Sequence, residues 1–105
     1  MLKPLVSQPP QPIDDLDPKV PFVRNRVIRT EKMDDNLFLI DQEMGTIDML
    51  DPLGALIWEV LEEPICAEDM ALLISEAFPE TDIHQIQSDV LILFNEFYEN
   101  EWIGS

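Results

Sequence analysis

The sequence predicts an α+β domain: a hairpin or three-stranded antiparallel meander followed by three helices. Three observations carry this. The first 21 residues hold six of the nine prolines and end where regular structure can begin. From there to residue 50, apolar residues come in short runs rich in β-branched and aromatic types, separated by turn signals. Beyond residue 50 the hydrophobic period changes to a helical one, and aspartates and prolines stand where helices should start and stop.

Proline fixes φ and removes a backbone donor, so residues 1–21 form neither a helix nor a central strand, and a flexible tail is expected there. Residues 22–105 then form the domain. "FVRNRVIRT" at 22–30 mixes β-branched and aromatic residues with arginines, as a partly exposed strand does. "NLFLID" at 36–41 is a compact apolar strand, and "QEMG" after it is a turn signal in which Gly45 can take positive φ. "TIDML" at 46–50 alternates, with Ile47 and Met49 on one face and Thr46, Asp48 and Leu50 on the other.

Asp51 is a suitable N-cap for the first helix, and Pro52 suits its first position. Leu53, Leu56, Ile57, Val60 and Leu61 recur at helical spacing until Pro64. Gly54 is costly in a first turn, and close approach of a neighbouring backbone, such as a strand, would explain it. The second helix is expected from Ala67 to Phe78, with Met70, Leu73, Ile74, Ala77 and Phe78 inward and Pro79 as its stop. Asp82 and Gln85 resemble a capping box that opens a third helix reaching about Asn100, with Ile83, Ile86, Val90, Leu93, Phe94 and Phe97 as its apolar stripe.

With 105 residues and 46% hydrophobic content, the chain suits one globular domain with a modest core. No apolar run approaches the roughly 20 residues that span a bilayer, and "MLKPLVSQPPQP" lacks the apolar stretch of a secretory signal. One cysteine, Cys66, excludes an internal disulfide, and a cytoplasmic location is the simplest expectation. The net charge is −16, and all six basic residues lie within the first 32 positions. The remainder carries 18 Asp and Glu and no Lys or Arg. Nucleic-acid binding needs cations to neutralise phosphates, so no nucleic-acid partner is expected.

The catalytic inventory is thin. His84 and Ser88 share a face four residues apart on the third helix, which describes an exposed polar face far better than a nucleophile and its base. Asp34–Asp35 and Glu62–Glu63 lack the spacing of a calcium loop, and no phosphate-cradling glycine motif occurs. No metal site and no cofactor are expected. The third helix has one further feature. Beside its apolar stripe, Gln87, Leu91, Asn95 and Tyr98 form a flank, with His84 and Trp102 adjoining, that mixes apolar, aromatic and neutral polar character as a peptide groove does. The alternative is that Leu91 and Tyr98 pack beneath the tail or a strand.

"LDPLGALIW" at 50–58 and "DVLILFNEF" at 89–97, with "AEDMALLI" between them, resemble the PqqD family of RiPP (ribosomally made, modified peptide) recognition elements, and the resemblance covers about residues 22–103. It implies a winged helix-turn-helix in which three antiparallel strands precede three helices. It also implies a non-catalytic function: the leader of a precursor peptide adds as a strand to the edge of the third strand, beside the third helix, and is presented to a modifying enzyme such as a radical-SAM enzyme, a cyclase or a protease. Carried onto this chain, the peptide-binding residues are Thr46, Ile47, Asp48, Met49 and Leu50 on the strand and Gln87, Leu91, Phe94, Asn95 and Tyr98 on the helix. The acidic character adds a basic leader to the expected partners, with no membrane among them. Two positions depart from the family. Cys66 stands where Ser or Thr usually caps the second helix, and Asn100–Glu101 replace a basic residue and glycine near the end. A winged-helix transcription regulator is the rival reading, and it needs Lys or Arg on its recognition helix, where this chain has none.

Overall fold

The computed structural model describes residues 16–105. It contains strands β1 (Val23–Arg24), β2 (Ile28–Met33), β3 (Asn36–Asp41) and β4 (Thr46–Leu50), helices α1 (Pro52–Val60), α2 (Ala67–Ala77) and α3 (Ile83–Glu99), and a final strand β5 (Ile103–Gly104). A three-stranded antiparallel sheet has the order β2-β3-β4, and β1 pairs with β5 in a separate two-stranded ribbon. The architecture is therefore mixed α+β, with the meander and three helices that the hydrophobic pattern implies.

The first strand differs from its expected span of 22–30. It breaks at Asn25, whose carbonyl accepts from Ile28 N at 3.1 Å and whose side chain accepts from Val27 N at 3.2 Å. These bonds turn the chain, so Val23–Arg24 pair with the C-terminal Ile103–Gly104 and only Ile28–Met33 join the sheet. Met33 and Asn36 pair directly, leaving Asp34 and Asp35 as a two-residue connection with φ of 51° and 71°. Positive φ at both central positions is the type I′ hairpin geometry, whose twist matches that of the strands. Asp34–Asp35 are thus explained as a turn. Of the proline-rich segment expected over 1–21, residues 1–15 lie outside the described part. Leu16 and Val20 pack half-buried against the core, and Pro18 O accepts from Glu68 N at 3.0 Å.

All three helices begin where the sequence implies, but the capping box expected from Asp82 and Gln85 does not form, because Gln85 Nε2 donates to Asp89 Oδ1 at 2.9 Å instead. The Asp51 carboxylate accepts from Gly54 N at 2.7 Å, and Asp82 accepts from His84 N at 3.3 Å. Cys66 does cap α2, its Sγ accepting from Asp69 N at 3.5 Å. Gly54 has a more local reason than an approaching strand. A Cβ there would lie 3.1 Å from Asp51 Oδ1 and 3.7 Å from the Leu50 side chain, so glycine makes room for the cap itself.

The buried face of α2 is rotated from the expected one. Ala67, Met70, Ala71 and Ile74 are buried, whereas Leu73, Ala77 and Phe78, expected inward, are exposed, Leu73 at 46% and Phe78 at 47%. The alanines explain this, because small residues let α2 approach α3 closely. On α3, Ile86, Val90, Phe94 and Phe97 are buried as the stripe implies. Trp58 lies at the centre, fully buried, edge-on to Phe97 at 5.8 Å. Its Nε1 donates to Thr30 Oγ1 at 2.9 Å, which ties α1 to β2 and satisfies the one polar atom of the indole. The Arg24 guanidinium lies 5.1 Å from the indole ring centre and donates through Nε to Trp58 O at 3.1 Å. Among the described residues no helix is long and apolar enough to cross a membrane.

Candidate functional site

In the sheet order β2-β3-β4, β4 has a neighbour on one side only. Residues Thr46 to Met49 are all exposed, and Leu50 is half-buried. The register pairs Leu37 with Leu50, Leu39 with Asp48 and Asp41 with Thr46. Leu37, Leu39 and Asp41 are the buried residues of β3, so Thr46, Asp48 and Leu50 share the core-side face, and Ile47 and Met49 point outward. The alternation read from the sequence is the one observed.

Two local devices place the start of β4. Asp41 is 8% exposed, and its Oδ1 accepts from Glu43 N at 3.1 Å and Met44 N at 3.2 Å. Its carbonyl accepts from Gly45 N at 2.8 Å, and Gly45 completes the turn at φ 71°.

Opposite this strand, α3 ends in a Schellman motif. Trp102 N donates to Phe97 O at 2.8 Å, Glu101 N donates to Tyr98 O at 2.9 Å, and Glu101 stands at φ 63° where glycine is usual. The Trp102 ring packs on Phe97 at 5.5 Å, the apolar contact that accompanies this motif. The C-terminal turn thus survives the departure from the family pattern. Asn25 holds this end in place, since its Nδ2 donates to Glu101 O at 3.0 Å and its backbone N to Trp102 O at 2.7 Å.

Between the two lies a groove of about 580 Å³. One wall is Met44 and Thr46 to Asp48, the other is Glu99 to Trp102, and Asn25 and Val27 close it. Asp41, Glu43, Asp48, Glu99 and Glu101 all line it, with no Lys or Arg. Among the described residues no group of three or more His, Cys, Asp and Glu is placed to hold a metal ion.

Of the residues singled out from the sequence, Thr46, Ile47 and Asp48 line this groove; Gln87, Leu91, Phe94, Asn95 and Tyr98 do not. Phe94 is fully buried and edge-on to Phe22 at 6.1 Å. Tyr98, 48% exposed, packs edge-on to Phe22 at 5.8 Å and lines a second pocket with the β1–β5 ribbon. Leu91 is half-buried on the core, Asn95 donates to Leu91 O at 2.9 Å, and Gln87 is exposed. Met49 and Leu50 also lie outside the groove, whereas Trp102, named beside the flank, lines it. Sequence reasoning missed Asn25, Val27, Asp41, Glu43, Met44 and Glu99–Glu101. The polar break "RNR" in an otherwise strand-like run was the one available signal for Asn25.

No curated protein matches the chain in sequence. Among solved structures it is similar to "TbiB1 in Complex with the TbiA(beta) Leader Peptide", with a TM-score of 0.70 at 22% identity over 79% of this chain and 95% of that one. That likeness concerns the fold. The family model described as "Coenzyme PQQ synthesis protein D (PqqD)" matches residues 36–103, from the first residue of β3 to β5. The match takes in the edge strand, all three helices and both walls of the groove, and the chain belongs to the PqqD family.

Proposed function

We propose that this protein binds the leader of a ribosomally synthesised precursor peptide as a strand added to the free edge of β4, and presents it to a modifying enzyme without performing chemistry itself. The observation that carries the reading is an unpaired, exposed edge strand bordering a groove at the end of α3. Backbone hydrogen bonds along such an edge supply affinity, and alternate side chains supply selectivity. Membership of the PqqD family and the leader bound to the similar TbiB1 chain support it. The peptide-contacting residues are then Thr46 to Leu50, joined by Val27, Met44 and the Glu99–Trp102 end of α3. The five acids of the groove favour a basic leader. The enzyme served is a radical-SAM enzyme, a cyclase or a protease acting in the cytoplasm. We read the sheet and helices as a winged helix-turn-helix used for peptide rather than DNA. The regulator reading is disfavoured because α2 and α3 carry no Lys or Arg. Hydrogen exchange tests the proposal: adding the cognate leader should slow exchange at residues 46–50 most. Unchanged exchange there, with leader bound, would refute strand addition at this edge.

A further inference from the structure

The outer face of the three-stranded sheet is most apolar along β4. Its register aligns Arg29, Ile40 and Ile47 in one row and Glu31, Phe38 and Met49 in the next. On β2 the face carries an Arg29–Glu31 ion pair at 2.9 Å, with Met33, 56% exposed, beyond it at the hairpin end. On β4 it is open, with Ile47 67% and Met49 60% exposed, and Phe38 and Ile40 half-buried behind them. A solvated face of an antiparallel sheet ordinarily alternates to polar residues, and an edge strand is ordinarily blunted by charge. Of the sheet's two edge strands, β4 carries the two most exposed apolar side chains of this face, Ile47 and Met49.

The other face of β4 has the opposite character. Thr46 and Asp48 lie on this face and line the groove, which Ile47 also borders and which Glu99 and Glu101 line from the helix side. A strand added to β4 places alternate side chains about 5 Å from those of β4 on each face. We propose that the strand taken by this edge is amphipathic with period two: apolar residues beside Ile47 and Met49 on the outer face, and cationic or polar residues beside Thr46 and Asp48 toward the groove. This rests on the strand-addition reading and adds to it the sequence pattern of the ligand. A second copy of the chain does not fit the edge, because each copy brings a net charge of −16 and the same Asp48.

The test uses two synthetic peptides of identical composition, each of Val, Lys and Thr and about ten residues long, enough to span a strand. One alternates Val with Lys or Thr; the other gathers its valines at one end. Fluorescence anisotropy reads affinity, and hydrogen exchange reads the contact. The alternating peptide should bind at least about tenfold more tightly, which is about 1.4 kcal/mol. The double variant Ile47→Thr/Met49→Thr should abolish that difference while keeping its melting temperature, since both sites are exposed and threonine keeps strand preference. Equal affinity of the two peptides, with exchange slowed at 46–50, overturns the amphipathic pattern and leaves strand addition standing. A double variant that retains the full preference also overturns the pattern. No slowing at 46–50 with either peptide overturns both.

Discussion

Glu101 occupies the left-handed position at the end of α3, at φ 63°, with an exposed side chain that makes no hydrogen bond among the described residues. Its carbonyl, held by Asn25 Nδ2 at 3.0 Å, is the anchoring group and would be kept by any residue. A residue with a Cβ gives up roughly 1–2 kcal/mol in this conformation. The carboxylate also lies at the negative end of the helix dipole, at a cost of roughly 0.3–1 kcal/mol. Against these, glycine raises the entropy of the unfolded chain, a loss of roughly 0.4–1 kcal/mol. Glu101→Gly should therefore stabilise the protein by about 1 kcal/mol, which in a domain of this size raises the melting temperature by roughly 4–8 °C. Thermal unfolding followed by circular dichroism measures it, and a urea midpoint that moves without a change of slope confirms that native stability changed. Glu101→Asn, which tolerates the left-handed region and removes the charge, should fall between the two. A melting temperature unchanged or lowered by Glu101→Gly would refute the reasoning. It would mean that the Glu101 side chain contributes a stabilising contact outweighing the backbone cost.

The remaining predictions separate the groove from the core. Leu91→Asp should lower the melting temperature sharply, because Leu91 packs half-buried on the core and a buried unpaired charge is costly. If it instead leaves stability intact and weakens leader binding about tenfold or more, the Gln87–Tyr98 flank is a peptide surface after all. The association rate of a basic leader should fall several-fold between low and physiological ionic strength, where the Debye length is about 8 Å, and Asp48→Asn should flatten that dependence. A rate independent of salt would assign the groove's acids to solubility alone.

The proposed site joins two segments that are far apart in the chain, and this decides how much of it the sequence could disclose. The edge strand was legible: "TIDML" alternates over five residues, Gly45 precedes it and Asp51–Pro52 follow, so its span and its two faces come from local geometry. The starts of α1 and α3 were legible for the same reason, since Asp51 and Asp82 each cap a donor two or three residues ahead, whereas Cys66 capping Asp69 N was not. Even the acidity of the groove was visible as a stretch without Lys or Arg from residue 33 onward.

Which end of α3 meets β4 was not legible. The stripe Ile86, Val90, Phe94 and Phe97 has a flank on either side, and period alone treats the two alike. The choice is made by contacts between distant segments: Phe22 packing on Phe94 and Tyr98, Val23–Arg24 pairing with Ile103–Gly104, and Asn25 binding Glu101 and Trp102. Phe22, Val23 and Arg24 occupy the Tyr98 side of the helix, and the groove forms instead where α3 ends. A two-residue pairing across some 80 positions leaves no periodic trace in either partner, because pattern records only which residues must be buried. By itself the sequence determined the later two strands of the meander, the three helices, the caps of α1 and α3, the faces of β4 and the sign of the charge. The tertiary structure decided what stands opposite that strand, because closing the chain into one core is what aligns the end of α3 with a free edge.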